Sequence, residues 1–155
     1  MEHVSSEYQE VRSLTWHRLL KASWAAFGMA FLLPVVDGGI TLLQPDLSEG
    51  LLPGFQAIRV ALEEGGWYAS SALTNVFMVA TMWRVNALGR MPAALLGVAL
   101  SGSALLNALW LTEFAFAELR VGYYLWLASF GLAAAALLMR THALPRNSAS
   151  LGVAT

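Results

Sequence analysis

Residues Trp67–Leu111 read WYASSALTNVFMVATMWRVNALGRMPAALLGVALSGSALLNALWL. Two apolar runs, Trp67–Leu88 and Met91–Leu111, stand back to back with only Gly89-Arg90 between them. A helix rises about 1.5 Å per residue, so runs of roughly 20 residues reach ~30 Å, the thickness of a bilayer's hydrocarbon core. The stretch therefore predicts a helical hairpin that crosses a membrane twice. Outward from it, Leu19–Val36 and Val121–Met139 are of the same kind, which gives four spans. Lys21, Arg84 and Asn86 fall near span ends, where a long side chain can reach the headgroups. Trp24, Trp67, Tyr68, Trp83, Trp110, Tyr123, Tyr124 and Trp126 also gather towards span ends, as an aromatic belt requires.

The composition agrees. The chain has 155 residues, 57% of them hydrophobic and 12% charged. Soluble domains run near ~45–50% and ~25%. With a mean hydropathy of +0.58, a soluble four-helix bundle would lack the polar stripe that each helix must turn to water. Nine Lys and Arg against ten Asp and Glu leave a net charge of −1, so no basic field is available to hold nucleic acid. The absence of cysteine excludes a disulfide scaffold, a thiol–quinone oxidoreductase and a thiolate metal site. His3, His17 and His142 lie near the chain ends, away from any haem pair inside a bundle. No cofactor and no metal are expected.

Charge also gives a direction. Arg12, Arg18, Lys21, Arg84, Arg90, Arg140 and Arg146 fall on one side of the alternating spans, and only Arg59 and Arg120 on the other. Basic residues stay with the cytoplasm, so both termini are expected there, in a multi-pass protein of the cell inner membrane. Asp37, Asp46, Glu49, Glu63, Glu64, Glu113 and Glu118 lean outward. The first span reads as an uncleaved signal-anchor, stopped by Pro34 and Asp37-Gly38-Gly39 rather than by a cleavage site. One Lys among nine basic residues, with Ala, Leu and Gly abundant, suggests a GC-rich bacterial genome.

Four segments lie outside the bilayer on this reading. Residues 1–18 form an amphipathic cytoplasmic arm that rests on the membrane or prolongs span one. His3, Glu7 and Glu10 share a face of it, but a solvated terminus explains them without a metal. The outer loop, 37–66, is far longer than an ordinary helix connection and carries a short helix over Pro53–Glu64, a cap over the bundle's outer mouth. The third loop, Thr112–Arg120, brings Glu113 and Glu118 towards the first loop's charges, Arg59 among them. Residues 140–155 form a cytoplasmic tail.

Within the spans, Ser71, Asn75, Met78, Met82 and Asn86 follow helical spacing. In span three, Gly97, Ser101, Ala104 and Ala108 make a stripe of small residues with Ser103 and Asn107 beside it. Small residues let helices approach closely, and amides hydrogen-bond across the contact, so the first reading is interhelical packing. The second is an outward-facing crevice between spans two and three for a small lipid, a quinone or a neutral solute. Asn75, Ser101, Ser103, Asn107 and Glu113 are the candidate residues for either. There is no Gly-x-Ser-x-Gly elbow, and no ionisable residue stands at the centre of a span. The chain is therefore not expected to be an enzyme or a proton-coupled pump.

Val121–Phe130, VGYYLWLASF, and Pro34-x-x-Asp37-Gly38-Gly39 resemble segments of uncharacterised small bacterial four-span membrane proteins, a group that implies no activity. In topology the chain is similar to claudin-type proteins, with their long first outer loop. It departs from them in lacking the outer-loop Trp/Cys signature. The expectation is an all-α, polytopic membrane four-helix bundle with a short extracytoplasmic cap helix. Its expected role is that of a non-enzymatic accessory or assembly subunit, surrounded by the lipid bilayer and meeting a membrane-protein partner or its own copies.

Overall fold

A computed structural model of the chain describes residues 2–37, 51–109 and 119–143, and it is an all-α fold with one short ribbon. Helix α1 runs unbroken over Glu2–Leu32, so the expected arm and the first span are one helix. The residue before a proline is pushed out of the α region, and α1 accordingly ends at Leu32, one residue short of the Leu33-Pro34 step. The span expected to reach Val36 is thus shorter. Pro34–Asp37 instead form strand β1, paired antiparallel with β2, Leu51–Pro53, with Val36 opposite Leu52.

Helix α2 follows at Gly54–Glu64, within one residue of its expected limits. Gly65 and Gly66 then turn the chain with φ of 74° and 54°, left-handed values that residues with a side chain rarely adopt. The expected second span does not form one helix. It is divided into α3, Gly66–Leu73, and α4, Asn75–Arg84, and closes in a 3-10 turn at Val85–Ala87. Helix α5 covers Arg90–Ala108 and α6 covers Val121–Ala143. Residues 38–50 of the outer loop, 110–118 of the third loop and 144–155 of the tail lie outside the described residues.

Helix α6 is the centre of the packing, with α1 against one side and α5 against another, while α4 touches both α5 and α6. The main core joins Trp16, Leu20 and Phe27 of α1, Met78 of α4, Leu100 of α5, and Phe130, Ala133 and Leu137 of α6. Gly97 makes the α5–α6 approach possible: a Cβ there would lie 3.2 Å from the Leu138 side chain. A smaller cluster of Val35, Leu119 and Tyr123 joins β1 to the start of α6. There the Arg120 amide donates to the Val35 carbonyl at 2.9 Å.

The helix directions sort the charges by end. Arg140 lies over the Trp16 ring, Gly97 touches Leu138, and Val85 shares the Trp16 and Leu137 cluster. Arg18, Lys21, Arg84, Arg90 and Arg140 therefore sit at one end of the bundle. The start of α2 against Ala30 and the start of α6 against Pro34 mark the other end, which carries Arg59, Glu63, Glu64 and Arg120.

Two helices, over Arg90–Ala108 and Val121–His142, are long and apolar enough to cross a membrane. Only 28% of the first stretch and 44% of the second is buried in the protein, so neither is a helix enclosed on all sides by protein. Large apolar side chains point outward instead: Leu32, Val76, Trp83, Met91, Leu95, Val98 and Leu105 are 61–83% exposed.

Candidate functional site

The apolar exterior encloses, beside the apolar core, a set of polar side chains. Ser23, Ser71, Thr74, Asn75, Thr81, Ser103, Asn107 and Ser129 are all buried. Ser71, Thr74, Asn75 and Asn107 converge on the break between α3 and α4. No proline or glycine causes that break. Thr74 Oγ1 donates to the Ser71 carbonyl at 2.6 Å, and Asn75 Nδ2 donates to the Ala72 carbonyl at 2.7 Å. Short polar side chains compete in this way for carbonyls that a continuous helix would use. The backbone tightens locally as well, the Thr74 amide donating to the Ser71 carbonyl at 3.2 Å.

Neighbouring helices complete the arrangement. Asn107 of α5 donates from Nδ2 to Thr74 Oγ1 at 3.0 Å, and its Oδ1 accepts the Ser71 hydroxyl. The Tyr123 hydroxyl of α6 donates to the Asn107 backbone carbonyl, near the frayed end of α5. Trp126 of α6 donates from Nε1 to Asn75 Oδ1 at 2.8 Å. About two turns along α4 a second rung appears. Trp24 of α1 donates from Nε1 to Thr81 Oγ1 at 2.9 Å, and Thr81 donates on to the Met78 carbonyl at 2.6 Å. Ser23 Oγ reaches Met78 Sδ at 3.8 Å. The divided helix is thereby stitched to α1, α5 and α6.

Of the expected site residues, Asn75 and Asn107 belong to this network without bonding each other: Asn107 bonds Ser71 and Thr74, and Asn75, next to Thr74 in the chain, bonds Ala72 and Trp126. Ser101 and Ser103 do not. Each turns its hydroxyl back onto its own helix, to Gly97 O at 3.0 Å and Ala99 O at 2.8 Å. Ser103 is buried and Ser101 half-buried. Glu113 lies outside the described residues. The buried face of α5 runs Ala93, Gly97, Leu100, Ser103, Asn107, so Ser103 and Asn107 are in the contact rather than beside it. Asn86, expected on the same face as Ser71 and Asn75, is exposed because the 3-10 turn rotates it away.

Aromatic residues divide likewise. Trp67, Tyr68, Trp83 and Tyr124 face outward as an interfacial belt would, whereas Trp24, Tyr123 and Trp126 turn inward and spend their polar atoms on the network. Thr74, Thr81, Tyr123 and Trp126 were not among the expected site residues. The Thr74-Asn75 pair inside an apolar run was the available signal. At the opposite surface Arg59 pairs with Glu63 of its own helix at 2.8 Å, and this partner raises the guanidinium's pKa.

Amide and hydroxyl groups of this kind position and hold; they supply no acid, base or nucleophile activated by a neighbour. Among the described residues no three His, Asp or Glu side chains are grouped to take a metal ion. No protein-family model, no curated protein and no solved structure matches the chain.

Proposed function

We propose that this is an integral membrane protein of four spans, without catalytic activity, that serves as an accessory or assembly subunit of a larger membrane complex. The observation that carries the reading is the exterior of the bundle: large aliphatic side chains face outward on α4 and α5, while hydroxyls and amides are buried among the apolar residues of the core. Water would reverse that order, whereas lipid tails accept it. Helices α5 and α6 supply two spans by length and composition. The lower half of α1 supplies another, and α3 with α4 supply the fourth as a divided helix, about 30 Å from Gly66 to Ala87. A broken helix is tolerated at membrane depth when side chains take up the freed carbonyls, as Thr74 and Asn75 do.

The same hydrogen bonds favour packing over a ligand crevice. Both polar ends of the Asn107 and Asn75 amides are occupied by protein groups, which leaves neither aimed at a guest. What remains for function is the outer surface, where α4 and α5 present Val76, Val79, Leu95, Val98 and Leu105. The basic end, with Arg18, Lys21, Arg84 and Arg90, faces the cytoplasm in this reading, and α2 caps the other side. The test is a C-terminally tagged chain, extracted mildly from its native host, with the co-purifying proteins and lipids identified. A stoichiometric membrane-protein partner is expected. A chain that emerges monomeric and alone would overturn the subunit reading.

A further inference from the structure

One charged group inside the basic end has a buried nitrogen without a hydrogen-bond partner among the described residues. Arg140 is only 6% exposed, and its Nη1 is fully buried without a hydrogen bond. Its guanidinium lies over the Trp16 ring, 5.4 Å from the centroid. The ring face attracts a cation, but it accepts none of the five N–H donors in the guanidinium plane. Arginine cannot shed its proton to escape the burden of burial, so the group stays charged. Among the described side chains the carboxylates of Glu63 and Glu64 are at the far end of the bundle, beyond reach. Arg18, Lys21, Arg84 and Arg90 share Arg140's end and add to its positive field.

A buried, planar, permanently charged fork whose Nη1 has no acceptor among the described residues fits a phosphate, whose oxygens take two parallel N–H bonds at once. The depth fits as well. Arg140 is in the last turn of α6, where a spanning helix leaves the hydrocarbon and lipid phosphates begin. We propose that Arg140, held on the face of Trp16, is a binding site for a phosphoryl anion at the basic end of the bundle. An anionic phospholipid headgroup and a soluble phosphate share that chemistry. The site is separate from the Asn75–Asn107 network and does not need the subunit reading. It rests on the membrane-spanning part of that reading for the depth of Arg140 and for the side on which the site would open.

The experiment uses the purified full chain in a phosphate-free neutral detergent. Thermal unfolding is followed after adding phosphatidylglycerol, phosphatidylcholine or millimolar inorganic phosphate, and retained lipid is counted by native mass spectrometry. Phosphatidylglycerol is expected to be retained about tenfold over phosphatidylcholine by the wild type, and within about twofold by Arg140→Gln. Lys21→Gln, an exposed cation at the same end, should keep most of the preference. Arg140→Lys, which keeps the charge but not the fork, should fall between. Stabilisation by inorganic phosphate alone, dependent on Arg140, would identify a soluble ligand as the source. Equal retention of both lipids by the wild type, with no response to phosphate, would overturn the site even if Arg140→Gln fails to fold. So would a preference that survives Arg140→Gln.

Discussion

Asn107 joins α5 to both α3–α4 and α6, through its amide and its backbone carbonyl, and it is fully buried. Its amide both donates to Thr74 and accepts from Ser71. Interhelical bonds of this kind contribute about 0.6–2 kcal/mol each in a membrane. Asn107→Leu keeps the volume and removes both, so a loss of about 1–3 kcal/mol is expected in reversible unfolding from mixed micelles. Ser101→Ala is expected to change stability by less than ~0.5 kcal/mol in the same assay, because the Ser101 hydroxyl bonds only its own helix. A comparable loss for both would mean that the α5 hydroxyls, not the amide, tie the helices together. The sequence alone offered these residues as equals. Spacing can place a side chain on a face, but it does not say whether a serine bonds across the contact or back to its own turn. Tyr123 and Trp126 were read as interfacial because their position along the span suits the headgroups. Their inward rotation depends on the Asn107 carbonyl and the Asn75 amide lying opposite, which only packing decides.

At the scale of elements the readable features were those with a local cause. Helix α6 begins at Val121 as expected, and α2 follows Pro53 and stops at Gly65-Gly66. The division of α3 from α4 was not legible in the apolar count, since Thr74 and Asn75 barely lower it; the break arises from hydroxyl and amide competition for carbonyls. Nor was the β1–β2 ribbon, whose strands lie either side of residues 38–50 in the chain, too far apart for the two-residue connection that marks a hairpin. That ribbon has a consequence for α6. Gly122 comes so close to β1 that a Cβ would lie 2.6 Å from the Pro34 carbonyl oxygen and 2.9 Å from that of Leu33. Backbone cannot move aside as a side chain does, so Gly122→Ala is expected to lower stability by about 1–3 kcal/mol. Gly97→Ala meets side chain rather than backbone, Leu138 Cγ and Cδ2 at 3.2 Å and Leu137 Cβ at 3.4 Å, and should cost less than Gly122→Ala, with a gain from helix propensity partly offsetting it. Thermal unfolding of the two variants side by side checks the order. A reversed order would place the tightest contact in α5–α6 rather than at the ribbon.

For the whole molecule the question is direction. Arg18, Lys21, Arg84, Arg90 and Arg140 gather at one end and Glu63 and Glu64 at the other because α1, α5 and α6 alternate in direction. The charge split read along the chain thus becomes a separation in space, and a membrane that retains basic residues in the cytoplasm would orient the molecule accordingly. The chain has no cysteine, so one introduced thiol is an unambiguous reporter of side. Gln56 on α2 and Ala87 in the turn before α5 are both exposed and lie at opposite ends. In intact cells a membrane-impermeant maleimide, admitted through a permeable outer envelope where there is one, should label Gln56→Cys and spare Ala87→Cys. Ala87→Cys should label only after the inner membrane is opened. Labelling of both in intact cells would mean that the divided α3–α4 element does not span, leaving Gly66–Ala87 on the outer surface and α5 entering from that side. Labelling of Ala87→Cys alone would keep the four spans and invert them, against the basic end. The two results separate the number of crossings from their direction, which the apolar lengths and the charges support by independent physical arguments.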